Sequence, residues 1–228
     1  MAFAARVDKM KIVFLICALI MPILVQAQGL TTRNFDRLLE RGGPADQLLV
    51  GTALYRGSSE EFGKNEEQGK SLIEASSKKV GPHLDQAIAI YISILVNEGD
   101  LEKLETLLAN ESLYRNLSAD YYAGISYASI GENEKAIEYL QKTVEGNSNV
   151  EFRIQAAEAL LRIYSDSSRN IFDETLSLNW AKYAAELNSS YGASYLGWAY
   201  KYGVGVEIDP ELTFQNWRVA TTKRWLSS

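Results

Sequence analysis

Apolar and polar positions along this chain recur with a helical period from about residue 34 to the carboxyl end, and the clearest stretch runs from Ala193 to Ala220. Ala193, Leu196, Gly197 and Tyr200 fall at i, i+3, i+4 and i+7, which places them on one face of a helix. Gly203 and Gly205 then interrupt the pattern, because glycine enters left-handed backbone without steric cost. Asp209 and Pro210 restart it: the carboxylate can accept from free first-turn amides, and proline at the first helical position loses no hydrogen bond. Leu212, Asn216 or Trp217, and Ala220 carry the inner face of the second helix. The stretch reads as one complete helix-turn-helix unit.

Looser copies precede it. Tyrosines stand at 55, 91, 127, 164 and 200, spaced by 36, 36, 37 and 36 residues, a period that signals stacked supersecondary units. Small residues near them, such as Gly51, Gly124 and Ala157, let neighbouring helices approach closely. For Tyr91 the turn Asn97-Glu98-Gly99-Asp100 leaves Leu95 as an alternative aligned position. Helix pairs are predicted at about 45–78, 83–109, 118–146, 150–188 and 191–222, with a polar capping helix near Asn34–Arg41. No long alternating β-branched run appears.

The order A-x-x-L-G-x-x-Y-x-x-G-x-G-V-x-x-D, carried by Ala193, Leu196, Gly197, Tyr200, Gly203, Gly205, Val206 and Asp209 and followed by Ala220, is similar to the Sel-one-like repeat (SLR), a relative of the tetratricopeptide repeat (TPR). Gly124, Tyr127, Gly131 and the run from Ala136 to Glu145 resemble a TPR. Asp173, Trp180, Ala184 and Ala185 fit the second helix of an SLR. The resemblance implies an all-α, right-handed superhelical solenoid of about five antiparallel helix pairs. It also implies a role in holding other proteins together, in a cell-envelope or exopolysaccharide-export assembly as exported members of the class do.

The amino terminus changes the picture. A short basic region (Arg6, Lys9, Lys11) precedes an apolar run from Ile12 to Val25, and Val25-Gln26-Ala27 offers a signal-peptidase site. The run is too short for a spanning helix, which needs about 20 residues, and Pro22 interrupts it. The chain therefore divides into a signal peptide at 1–27, a flexible start and capping helix at 28–44, and a repeat domain at 45–228. Met10 is an alternative start. Cleavage after Ala27 makes the product periplasmic or secreted, with no stable membrane span. Cys17 lies inside the apolar run, so the mature chain lacks cysteine; Ile16 before it argues against lipidation. The net charge of −6 becomes −8 when residues 1–27 are removed, with 20 basic and 28 acidic side chains remaining. Nucleic acid and anionic membranes are disfavoured as partners.

Candidate chemistry is sparse. His83 is the sole histidine, and Gly81-Pro82-His83 reads as a helix start. Histidine and cysteine are too few for a zinc site. The acidic pairs Glu60-Glu61, Glu66-Glu67 and Glu132 with Glu134 fall in loops or first helical turns, where they complement the helix dipole. No catalytic residue, cofactor or metal is expected, and Gly203-Val204-Gly205 lacks the strand and lysine of a phosphate loop. The Asn-x-Ser sequences at Asn110, Asn116 and Asn188 are read as chance. Aromatics out of phase with the repeat, Tyr114, Tyr122, Tyr195, Trp198 and Tyr202, are candidates for the surface. Because first helices commonly line the concave side of a helical repeat, the expected contact residues are Tyr122, Arg153, Tyr195, Trp198 and Lys201. Other envelope proteins are the expected partners. Trp217, Trp225 and Leu226 near the carboxyl end raise self-association through that edge as a further expectation. A carbohydrate-binding module is the alternative reading, and an envelope hydrolase a weaker one, because the paired cysteines of hydrolytic SLR relatives are missing.

Overall fold

The computed structural model describes residues 30, 32–57, 63–109, 119–146 and 149–224. The expected signal segment, Cys17, Glu60-Glu61, Asn110, Tyr114, Asn116, Trp225 and Leu226 lie outside them. Among the described residues there are eleven α-helices and no strand: α1 Thr32–Arg41, α2 Pro44–Arg56, α3 Glu66–Ser77, α4 Leu84–Glu98, α5 Leu101–Leu108, α6 Ala119–Ile130, α7 Asn133–Glu145, α8 Val150–Ser165, α9 Glu174–Glu186, α10 Ser190–Tyr202 and α11 Pro210–Arg224. The five pairs and the capping helix read from the sequence are all present, with ends within a few residues. Contacts divide the chain into two compact units between Ile130 and Gly131.

In the amino-terminal unit α2 and α3 meet backbone to backbone. A Cβ at Gly51 would lie 2.9 Å from the Gly69 carbonyl oxygen, and one at Gly69 only 2.5 Å from the Tyr55 amide nitrogen. Phe35 of α1 closes one side against Val50 and Leu54, with Leu38, Leu39 and Leu72 around them. α4 is apolar nearly all round, with Ile88, Ile92 and Leu95 fully buried, so it runs through the core. His83 is buried just ahead of α4, a ring nitrogen 3.3 Å from the Ser76 carbonyl oxygen. Its position is the helix start expected.

The carboxy-terminal unit contains α7 to α11, each packed against the next. Its core joins Leu161, Leu178, Ala181, Leu196 and Ala199. α10 crosses α9 at Gly192, where a Cβ would stand 2.8 Å from the Ala181 carbonyl oxygen and the Ala185 amide nitrogen.

One turn device recurs in four helix pairs. The amides of Asn65, Asp100, Asp173 and Asp209 donate to the carbonyls of Leu54, Leu95, Tyr164 and Tyr200, at 2.9–3.0 Å. Each of those four side chains then accepts from the amide three residues on, at Gln68, Lys103, Leu176 and Leu212. The first bond closes the turn and the second caps the new helix. In α4 the aligned position is thus Leu95 and not Tyr91. Alanine at Asp173 or Asp209 removes one cap and is expected to lower stability by about 1 kcal/mol each, additively because the sites are separate; chemical denaturation of the single and double variants checks both numbers.

Candidate functional site

The residues proposed from sequence separate in the structure. Tyr122 is a correction: it is 3 % exposed, and its hydroxyl donates to Asp85 Oδ2 at 3.0 Å across to α4. Burial, then the Asp85 charge, drive its pKa up, so it is a core tyrosine and not a contact residue. Arg153 is half-buried at the start of α8. Its Nη2 donates to the Tyr183 hydroxyl at 2.7 Å, and its guanidinium carbon lies 6.0 Å from the Tyr183 ring centre. It fastens α8 to α9.

Tyr195, Trp198 and Lys201 do come together, all on α10. The local sequence explains why. Asn188 takes a left-handed conformation (φ 76°) and ends α9, and Ser189 caps α10 by accepting from the Gly192 amide at 2.9 Å. The Ser189 hydroxyl also donates to Glu158 of α8 at 2.7 Å, so the start of α10 is tied to both preceding helices. The inner face of α10 is built from Gly192, Ala193, Leu196, Gly197 and Ala199, all buried. These small residues seat α10 closely on α9 and α11, leaving the wide side chains to point outward.

The outer face carries Ser190, Tyr191, Ser194, Tyr195, Trp198, Lys201 and Tyr202. The Tyr195 and Trp198 ring centres are 5.5 Å apart, and those of Trp198 and Tyr202 are 5.8 Å apart, both pairs tilted. Exposure rises along the row: Tyr195 is half-buried, Trp198 is 42 % exposed and Tyr202 56 %. The Tyr195 hydroxyl donates to Ser177 Oγ at 3.0 Å. Burial, and to a lesser degree Glu174, raise its pKa, with the Ser177 bond acting in the opposite sense. Lys201 Nζ stands 5.0 Å from the Tyr202 ring centre and 5.3 Å from that of Trp217, the indole that covers Gly197. Trp217 reaches Lys201 from α11, on the Gly197 side of α10 and not on the row of exposed rings. The signal that could have added it is Gly197 itself, since a glycine on a helix face needs a large neighbour to fill its space.

Between Leu187 and Val206 the sequence holds no acidic residue and one charged one, Lys201. The face is therefore aromatic, hydroxyl-bearing and singly positive on a chain of net charge −6. It can stack on apolar or planar groups and accept hydrogen-bonding partners. Glu66 and Glu67 lie exposed in the first turn of α3 and Glu132 and Glu134 at the start of α7, as solvated helix starts. Among the described residues no group of three or more His, Cys, Asp or Glu could hold a metal ion, and no helix is long and apolar enough to cross a membrane.

No protein-family model matches the chain, and no curated protein matches it. Among solved structures it is similar to a Sel1 repeat protein from Oxalobacter formigenes, at 17% identity and a TM-score of 0.44, over 85% of this chain and 57% of that one. It is also similar to a protective antigen present in uropathogenic Escherichia coli strains that displays an SLR fold, at 19% identity and a TM-score of 0.43, over 83% of this chain and 44% of that one. The chain thus spans about half the length of these solved structures. Both carry the repeat whose pattern residues 193–220 resemble.

Proposed function

We propose that the chain is a non-enzymatic interaction module that holds other proteins of the cell envelope together, and that the outer face of α10 is its principal contact surface. The observation that carries this reading is the row Tyr195, Trp198 and Tyr202, rings 5.5 and 5.8 Å apart and progressively exposed on a helix seated by glycine and alanine. Rigid aromatic side chains with few rotatable bonds lose little entropy on contact, and tryptophan and tyrosine dominate the energetic centres of protein interfaces. Serines 190 and 194 at the edge supply adaptable hydrogen bonds. The location outside the cytoplasm rests on the basic and apolar pattern of residues 1–27.

The test is capture from envelope extract with the chain and with Trp198→Ala. Trp198 is 42 % exposed, so an unchanged helix signal is expected on its truncation, while loss of a central interface tryptophan costs about 2 kcal/mol or more, roughly thirtyfold in affinity. Specific proteins retained by the first and released by the second support the reading. Retention on a glycan array that depends on Trp198, with no protein captured, would replace it with carbohydrate binding.

A further inference from the structure

The amino-terminal unit holds a cavity of about 80 Å³. α2 and α4 both pack on α3 and hardly on one another, so a cleft remains between them with Ile73 of α3 at its base. Ile90 and Ile94 of α4 complete the floor, and all three isoleucines are buried. Thr52 of α2 adds to the wall. Its hydroxyl already donates to the Leu48 carbonyl at 2.7 Å, so what it offers a guest is its methyl group. The cavity lies between three consecutive helices inside the chain, not on a terminal face.

The rim sets the chemistry. Arg56 of α2 lines the opening and is exposed. The two carboxylates whose charges act on its neighbour Tyr55 are already neutralised, Glu98 by Lys70 and Glu66 by Lys64. Arg56 itself has no carboxylate partner among the described residues. On the α4 side Asn97 is held to its own helix, its Nδ2 donating to the Ser93 carbonyl at 2.7 Å. An unpaired guanidinium beside an apolar hollow is complementary to a guest that is aliphatic where it enters and anionic next to that point. Size then decides what kind of guest. Sites that take whole small molecules are about 300–1,000 Å³, several times this volume. A cavity of about 150 Å³ takes a benzene ring, so half of that suits one branched aliphatic side chain.

We propose that this cavity seats a single leucine, isoleucine or valine side chain of a partner protein, with an acidic residue beside it in the partner paired to Arg56. The site belongs to the amino-terminal unit and does not depend on the contact role given to α10.

Three tripeptides, each acetylated and amidated, test it: Glu-Leu-Glu, Glu-Ala-Glu and Gln-Leu-Gln. The δ1 methyl signals of Ile73, Ile90 and Ile94 in the isoleucine-labelled full chain are followed by NMR during titration. Glu-Leu-Glu is expected to shift them with a Kd of about a millimolar, as befits one seated side chain. Glu-Ala-Glu should bind about tenfold more weakly, because little apolar area enters the cavity. Gln-Leu-Gln should bind about threefold more weakly, the scale of a single exposed ion pair, and Arg56→Gln should abolish that difference. Ser93→Leu, which fills the cavity from α4 at a half-buried position, should remove the shifts with circular dichroism unchanged. Methyl signals that no peptide moves, alanine binding as well as leucine, or a folded Ser93→Leu chain that binds as before would each overturn the seat. Equal affinity for the glutamate and glutamine peptides would overturn the acidic flank.

Discussion

Replacing Gly69 with alanine lowers the stability of the amino-terminal unit by about 2 kcal/mol, although the same change in an ordinary helix interior raises it by about 1 kcal/mol. The sign is set by what the methyl group meets. A Cβ at Gly69 lies 2.5 Å from the Tyr55 amide nitrogen, 2.7 Å from the Gly51 carbonyl oxygen and 2.8 Å from the Tyr55 Cα, all backbone atoms of α2. No side chain can swing aside, so the two helices must separate and open the contacts of Val50, Leu54 and Leu72 behind them. Overpacking of this kind typically costs about 1–3 kcal/mol, which exceeds the gain in helix propensity. Gly43→Ala is the control: nothing lies within 4 Å of its Cβ, and a change below about 1 kcal/mol is expected at a helix cap. Loss of ellipticity in denaturant is the measurement to use, because all four tryptophans lie beyond residue 179 and report only on the other unit. Equal midpoints for the Gly69 variant and the parent would show that the α2–α3 contact yields more readily than its backbone geometry allows.

The helix pairs were legible because each element carries its own signals: an apolar stripe of helical period, a glycine or asparagine where the backbone turns left-handed, and an Asx residue that restarts the helix. Those signals are local, and the turns they specify are made by the same pair of hydrogen bonds in four places. Tyr122 shows where the reading fails. Its position out of phase with the tyrosine period points outward only on a helix with one wet face. In α6 Ala119 and all residues from Tyr121 to Ala128 are buried, so phase carries no information about direction there. α4 misled for the same reason, offering Tyr91 and Leu95 as rivals when both are buried. In α10 the inner positions are glycine, alanine and leucine, phase does mean direction, and Tyr195, Trp198 and Lys201 emerge on one face. Arg153 was legible as a cation but not as a clamp, because its partner Tyr183 is 30 residues away.

A second large effect is expected at Glu74, where stability should depend on pH in a defined window. Its carboxylate joins three helices of the amino-terminal unit: one oxygen accepts from Lys78 Nζ at 2.7 Å within the end of α3, and the other from Lys103 Nζ of α5 at 3.1 Å. The Tyr91 hydroxyl of α4 lies alongside, without a hydrogen bond of good geometry. Partial burial alone would push the carboxyl group up, but the two lysines and the nearby hydroxyl outweigh it and pull it from 4.5 to about 2. A depressed carboxylate is stabilising above its unfolded pKa and loses that contribution as pH falls through the folded one. Glu74→Gln, which keeps the shape and removes the charge, should therefore be less stable than the parent by about 2 kcal/mol above pH 4.5, water around the half-exposed lysines screening the pair below its full linkage value. Between pH 4.5 and about 2 the gap should narrow as the parent's carboxylate takes up its proton. Urea midpoints for the two proteins across that interval measure it. A gap that stays constant through the interval would mean that Glu74 acts by packing, and that the charge shared among α3, α4 and α5 contributes nothing to holding them together.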